Sequence, residues 1–225
     1  MIKFRDYLKS KVIHEPASQK YKIMMKRPVT FFDGYEKIKL QKPTKLSSSA
    51  TKMELFEVQD AMIMSNQRLQ YEKKLDVDFL DMMSELVGGG EAELISELKR
   101  QIDTITLNLK YSFNRLRPRE TAKFYGKNLV PHVAVDTPSY PSNHTAVGYV
   151  VAGVLAKKYP EHERELLRIA EDNANSRVSL GVHFTSDVDA GKELADRLLD
   201  KYNNITESSD TFKFVAPRRE TNEKF

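Results

Sequence analysis

The chain contains no cysteine, which excludes disulfide bonds, zinc ribbons, iron–sulfur clusters and thiol nucleophiles. It also has no apolar run near the roughly 20 residues that a membrane-spanning helix requires. The longest run, residues 147–156, is interrupted by Gly148, Tyr149 and Gly153. The N-terminus has no uninterrupted apolar stretch of the kind that secretory signal peptides carry. These absences predict a protein without a membrane span and, if Met1 is the native start, a cytoplasmic location.

The composition is that of a globular protein with unevenly distributed charge. A length of 225 residues with 40% hydrophobic content is enough for one large domain. Residues 1–52 carry 13 Lys and Arg against 4 Asp and Glu, whereas residues 53–202 carry 19 against 24. A basic arm can bind polyanions, but its aromatic residues are not interleaved as nucleic-acid stacking requires. We therefore interpret 1–52 as a loosely packed basic arm and linker, 53–202 as the folded domain and 203–225 as a polar tail, and expect no nucleic-acid partner.

Apolar spacing predicts a helical protein. The strongest pattern recurs at steps of three and four residues and predicts one amphipathic helix of about six turns, ended by Pro118. Its members are Leu94, Leu98, Ile102, Ile105, Leu109, Phe113 and Leu116. One helix face is also predicted over 55–69 and another over 77–83, with Gly88, Gly89 and Gly90 as a C-terminal cap and turn. Further helices are predicted over 143–158, over 161–176 and from 186 onwards. No convincing strand pattern occurs, so the sequence predicts an all-α fold.

Three clusters of polar residues lie at the ends of these predicted helices. The first is Lys110 with Arg117 and Pro118. On one continuous helix, seven residues bring Arg117 to within about 20° of Lys110, so both cations would project from one side. Taken alone, this pattern is more typical of a solvated basic face.

The second cluster opens the helix predicted from Asn143. Ser142 suits the N-cap position, and the free N–H groups of a helix N-terminus can bind an anion. His144, in the first turn, would face such an anion. A structural histidine beside an ordinary N-cap is the alternative interpretation.

The third cluster is Ser176-Arg177, followed by His183 and Asp187. Arg177 ends one predicted helix, His183 lies in the connection and Asp187 begins the next helix. The Asp187 carboxylate could accept the Nδ1–H of His183, which fixes the tautomer and leaves Nε2 free as a nucleophile.

In chain order, Lys-x6-Arg-Pro, Pro-Ser-x-His and Ser-Arg-x5-His-x3-Asp resemble the signature of the type-two phosphatidic-acid-phosphatase superfamily, which includes the vanadium haloperoxidases. The segments SYPSNHTAVGYV and SRVSLGVHFTSDVDAG resemble those of the class A bacterial non-specific acid phosphatases. The resemblance covers about residues 105–200 and implies a helical bundle of the acid phosphatase and vanadium haloperoxidase type. Two departures are Asn143, where the family usually has Gly, and the absence of a secretory signal. Because Asn tolerates positive φ, we expect Asn143 to keep the loop and alter the phosphate shell.

The resemblance implies hydrolysis of small phosphate monoesters through a phosphohistidine, without a metal ion and with an acid pH optimum. His183 would attack in line, oriented by Asp187, and His144 would protonate the leaving oxygen and then activate water. The implied phosphate-binding residues are Lys110, Arg117, Ser142, Asn143 and Arg177. No cofactor is expected, and vanadate should act as an inhibitor that mimics phosphate.

Two alternatives use the same residues. A vanadate-dependent haloperoxidase would hold vanadate as its cofactor, although members of that branch are typically much longer chains. A non-catalytic module would use the pocket and the basic arm to bind a phosphorylated or nucleic-acid partner. All the reactive positions are present, which favours catalysis.

Overall fold

The computed structural model describes residues 16–208, and no strand occurs among them. The predicted all-α fold class is therefore confirmed. The α-helices of this described part are α1 (Gln19–Met24), α2 (Ser49–Ala61), α3 (Asn66–Leu86), α4 (Ala92–Phe113), α5 (Pro118–Phe124), α6 (Asn143–Lys158), α7 (Glu163–Ser179) and α8 (Thr185–Ser208). Short 3₁₀ turns cover Tyr35–Lys37 and Pro160–His162. Within residues 16–208, no helix combines the length and apolarity needed to cross a membrane.

Helix α6 is the centre of the bundle and packs against α4, α7 and α8. Val150, Val151 and Leu155 are fully buried, consistent with an apolar surface on all sides of the helix. The N-terminus of α6 also approaches α8 closely at Gly191. A Cβ at this position would lie 2.8 Å from the backbone oxygen of Ser142. Glycine at 191 therefore lets α8 reach the first turn of α6, where the second polar cluster lies.

The long helix α4 ends earlier than its apolar pattern predicts. Asn114 adopts a left-handed conformation with φ of 53°, and its N–H donates to the Lys110 carbonyl oxygen at 2.8 Å. Pro118 does not end this helix; it is the first residue of α5, where its missing N–H costs nothing. The prediction of one helix continuing through Leu116 is therefore wrong in its last turn.

Other helix boundaries differ from the predictions in understandable ways. The helix face predicted over 55–69 is split between α2 and α3, because Ser65 caps α3 by accepting from the Arg68 N–H. The predicted glycine turn is confirmed: Gly88 and Gly89 have positive φ directly after α3. Helix α6 has the predicted bounds, while α7 extends three residues beyond 176 and α8 begins at Thr185.

The predicted divisions at residues 52 and 202 do not coincide with structural boundaries. Residue 52 lies inside α2 and residue 202 inside α8. Phe32 is fully buried in the main core, so the basic segment from residue 16 onwards packs on the bundle instead of leading loosely into it. Burial of such an aromatic side chain stabilises this attachment by about 2 kcal/mol. The remainder of the predicted arm and tail, 1–15 and 209–225, lies outside the described residues.

Candidate active site

The three polar clusters converge where α4, α6, α7 and α8 meet. Lys110, Arg117 and Arg177 are all buried, at 2%, 5% and 1% exposure. Arg117 donates from Nη1 to Nε2 of His183 at 2.8 Å and to the Val182 carbonyl oxygen at 2.6 Å. The structure thus brings the predicted cations and the predicted nucleophile into one buried site.

Lys110 and Arg117 reach this site by a different route from the one predicted. Arg117 is not on α4; it is the N-cap residue of α5, after the chain has turned at Asn114. The expectation that both cations share one helix face is therefore wrong, although both enter the site. Lys110 Nζ donates to the carbonyl oxygens of Pro138 and Ser139 at 2.8 and 3.0 Å. Burial, reinforced by Arg117, lowers the pKa of Lys110 well below its usual value, so a bound anion would favour its charged form.

His183 and Asp187 form the predicted pair. Asp187 Oδ2 lies 3.3 Å from His183 Nδ1, and it also accepts from the Phe184 N–H at 2.9 Å. With Nδ1–H directed at the carboxylate, Nε2 carries the lone pair on the side of the Arg117 guanidinium. Burial, together with Arg117, holds the pKa of His183 well below its usual value. The imidazole is therefore neutral near neutral pH, as a nucleophile must be.

Asp187 depends on a partner that the sequence interpretation missed. Its side chain is fully buried, and Arg115 Nη1 donates to Oδ1 at 2.6 Å while Ser139 Oγ donates to Oδ2 at 2.5 Å. Burial opposes ionisation, yet Arg115 and the His183 contact hold the pKa of Asp187 well below its usual range. Arg115 stands two residues before Arg117, but its position in the motif gives no indication of this role.

His144 lies at the mouth of the site, in the first turn of α6, with 36% of its side chain exposed. Its Nε2 is 3.3 Å from Oδ1 of Asp76, and the same oxygen accepts from Arg177 Nη1 at 2.5 Å. Burial and Arg177 lower the pKa of His144, whereas Asp76 opposes them. Asp76 was not predicted as a site residue, because it lies on α3 with no spacing relation to the motifs.

Ser142 is the N-cap of α6, as predicted, and accepts from Thr145 Oγ1 at 2.8 Å. Asn143 adopts helical backbone geometry, and Asn114 is the non-glycine residue with positive φ within 16–208. The expectation that Asn143 uses a positive φ is therefore wrong. Its side chain instead bonds α4: Nδ2 donates to Asp103 Oδ1 at 2.8 Å, and Oδ1 accepts from Thr106 Oγ1 at 2.5 Å.

A cavity of about 170 Å³ opens beside Asn143 and Lys110. Tyr21 of α1 lines it, and the Tyr21 hydroxyl donates to Asp136 Oδ1 at 2.6 Å. Lys99 lines the same cavity. The basic segment that precedes the bundle therefore supplies part of the wall at the site entrance.

Comparison with known proteins identifies relatives over part of the chain. Residues 101–194 match the family described as the PAP2 superfamily. The non-specific acid phosphatase of Providencia stuartii is 36% identical over 97 residues, which are 41% of this chain and 38% of that protein. The non-specific acid phosphatase of Salmonella typhimurium is 50% identical over 54 residues, 24% of this chain and 22% of its own length. These matches thus span well under half of the relatives' lengths.

Solved structures extend the likeness of fold. A transmembrane PAP2 type phosphatidylglycerolphosphate phosphatase from Bacillus subtilis is 22% identical with a TM-score of 0.56, covering 75% of this chain and 92% of that one. A bacterial vanadium-dependent iodoperoxidase is 16% identical with a TM-score of 0.68, covering 87% of this chain and 60% of that one. At these identities the likeness concerns the fold alone. Residues 101–194, which carry the three motifs and make up less than half of the chain, are therefore similar to the PAP2 superfamily.

Proposed function

We propose that the protein is a phosphoric monoester hydrolase that acts through a phosphohistidine on His183 and needs no metal ion. The observation that carries this proposal is the placement of the buried His183 Nε2, which faces Arg117 at 2.8 Å and has its Nδ1 directed at Asp187. The acid phosphatase relatives support the same reaction class.

The cations suit the binding of a phosphoryl group. In phosphoryl transfer, negative charge spreads over the equatorial oxygens, and catalysis comes mainly from positioning and electrostatic stabilisation. Lys110, Arg117 and Arg177 supply three positive groups in a buried site. The attraction between each group and a bound phosphoryl group is stronger there than in water. The first turn of α6 adds backbone N–H groups at the positive end of the helix dipole. These groups together would do the work that a metal ion does in other phosphatases.

The reaction proceeds in two steps. In the first, Nε2 of His183 attacks phosphorus in line; the N–P bond forms, the bond to the ester oxygen breaks, and His144 gives its proton to the leaving alcohol. In the second, His144 takes a proton from water, the water oxygen attacks phosphorus, and the N–P bond breaks to release phosphate. Asp187 holds the Nδ1–H throughout and stabilises the positive charge on the ring.

The pH dependence follows from the two histidines. His183 must be neutral to attack and His144 protonated to donate, and burial together with the nearby cations lowers the pKa of both. A bound phosphate dianion raises both values again, and because the histidines face one phosphoryl group their titrations are coupled. We expect a bell-shaped profile of kcat/KM with its maximum at about pH 5 to 7.

The test measures turnover of p-nitrophenyl phosphate in EDTA, with His183→Ala as the matched inactive control. We expect full activity in EDTA, inhibition by vanadate, and no bromide oxidation after vanadate is added. Activity lost in EDTA and restored by magnesium or zinc would refute the metal-free mechanism. Bromide oxidation in place of hydrolysis would instead assign a haloperoxidase.

A panel of small phosphomonoesters identifies the substrate class. Nucleotides, sugar phosphates and inositol phosphates differ in the size and charge of the leaving group that must fit beside Asn143 and Lys99. Their kcat/KM values, compared with that of p-nitrophenyl phosphate, measure how much the leaving group contributes to substrate specificity.

A further inference from the structure

Arg115 belongs to the same loop as Arg117 but directs its donors to different groups. Nη1 donates to Asp187 Oδ1 at 2.6 Å and to Ser186 Oγ at 2.7 Å. Nη2 donates to Glu54 Oε2 at 2.8 Å. The guanidinium also lies over the Phe184 ring, 4.3 Å from its centroid. With 6% of its side chain exposed, Arg115 is fixed on four sides.

Glu54 anchors this arrangement from α2, outside the segment that matches the family. While Oε2 binds Arg115, Oε1 accepts from the Ser186 backbone N–H at 3.0 Å. Ser186 lies in the first turn of α8, directly before Asp187. The Glu54 carboxylate therefore holds both the arginine and the helix turn that presents the catalytic carboxylate.

The two oxygens of Asp187 have separate partners. Oδ1 binds Arg115, whereas Oδ2 faces His183 Nδ1 and accepts from the Phe184 N–H and the Ser139 hydroxyl. Without Arg115, Oδ2 would keep its own donors, but Oδ1 would have no partner and the carboxylate charge would not be balanced by a cation. Arg115 thus balances the charge of Asp187 and fixes the plane of the carboxylate, which holds Oδ2 in line with the histidine ring.

We infer that Arg115 and Glu54 are positioning residues for the proposed hydrolase, with Glu54 fixing Arg115 and Arg115 fixing Asp187 against His183. This assignment rests on the proposed function for its kinetic consequences. It also predicts a property of the folded protein that is measurable without turnover. Arg115 does not bind phosphate in this scheme, since its donors are directed to the carboxylates and to Ser186.

The groups around His183 determine the expected change. Burial lowers the pKa of His183, Arg117 and Lys110 lower it further, and Asp187 raises it. In Arg115→Met the Asp187 charge is no longer balanced by the guanidinium, so it acts more strongly on the imidazole. We expect the pKa of His183 to rise by about one unit, and the acid limb of kcat/KM to move to higher pH with it. We also expect kcat to fall about 10- to 100-fold with little change in KM.

The matched control is Arg168→Met. Arg168 also bridges two carboxylates, Glu165 and Asp172, each at 3.0 Å, but on the exposed surface of α7. Its loss should leave the His183 titration and kcat unchanged.

Glu54→Gln should lower kcat less than Arg115→Met does. Adding Glu54→Gln to Arg115→Met should lower kcat no further, because Glu54 acts through Arg115.

The deciding experiment is an NMR titration of the His183 ring, assigned by comparison with His183→Ala, in wild type, Arg115→Met and Arg168→Met. A raised pKa in Arg115→Met alone supports the assignment, even if the wild type shows no phosphatase activity and the proposed function fails. An unchanged pKa, or an equal change in Arg168→Met, overturns it. If Arg115→Met does not fold, Arg115→Lys replaces it, since one ammonium cannot bridge both carboxylates; the same shift in smaller measure supports the inference, and none overturns it.

Discussion

The segment 101–194 and the helices that precede it contribute different things to the site. The matched segment contains the residues proposed as the nucleophile, the general acid and the phosphate-binding cations. Helices α2 and α3 supply carboxylates: Glu54 for Arg115, and Asp76 for both Arg177 and His144. Buried cations without counter-charges are costly. The side chains proposed to react thus lie in the matched segment, while part of their charge balance comes from outside it.

The two histidines show the same division. His183 is 3% exposed and is paired with a carboxylate from its own segment, four residues away. His144 is 36% exposed in its side chain and is paired with Asp76 from α3. The proposed nucleophile is thus oriented by a residue near it in the sequence, whereas the proposed general acid depends on a tertiary contact with α3.

Removing the nucleophile should have the largest effect. His183→Ala is expected to lower kcat by about 10⁴-fold or more and to abolish the phosphoenzyme, because a covalent nucleophile has no substitute. Rapid quench with ³²P-labelled substrate measures both. Label that is still trapped on the variant, at His144, would show that the two roles are reversed.

Removing the general acid should have a smaller effect. His144→Ala is expected to slow turnover by about 10² to 10⁴ while a phosphohistidine accumulates from substrates with good leaving groups. p-Nitrophenyl phosphate should therefore suffer less than an alkyl phosphate. Equal losses on the two substrates would argue against proton transfer to the leaving oxygen.

Asp76→Asn tests the tertiary contact directly. Asp76 raises the pKa of His144 against burial and Arg177, so its removal should lower that pKa. The basic limb of kcat/KM, which follows the protonated acid, should move to lower pH, and kcat at pH 7 should fall by about 10-fold as the protonated fraction of His144 decreases. KM should not rise, since the variant removes an anion beside the phosphate site.

The control for Asp76→Asn is Asp81→Asn, an exposed carboxylate on the same helix. A pH profile that stays in place in Asp76→Asn, or that moves equally in Asp81→Asn, would show that His144 is independent of α3.

The sequence predicts the reactive side chains and fails on their partners for a physical reason. Lys110, His144 and His183 belong to motifs that lie at or near the ends of helices, and the sequence pattern indicates where these helices lie. Helix α6, for example, has the predicted bounds. Asp76 lies 68 residues before His144, and Glu54 lies 61 residues before Arg115, both on helices with ordinary amphipathic patterns. Their role depends on how α2 and α3 pack, which periodicity does not specify. The predicted end of α4 is wrong for a similar reason. The left-handed Asn114 turns the chain into the loop that carries Arg115 and Arg117, and apolar spacing does not indicate this turn.

Acid sensitivity of folding should be the smallest effect, and it separates the two regions. The folded pKa of His183 lies below its unfolded value of about 6.5, so below that pH the unfolded chain binds more protons and the free energy of unfolding falls. Asp187 and Asp76 also have lowered pKa values when folded. Their contribution to the free energy of unfolding is present above the unfolded pKa of about 3.9 and is lost as the pH falls through the folded values.

Each proton that the unfolded chain binds in excess changes the free energy of unfolding by about 1.4 kcal/mol per pH unit. Urea unfolding from pH 8 to pH 3 should therefore show a decline in two stages. Asp76→Asn should flatten the second stage by one proton relative to Asp81→Asn, and it should extend the first stage to lower pH, because it lowers the folded pKa of His144 further. A second stage of unchanged slope would mean that Asp76 contributes no charge balance to the folded site.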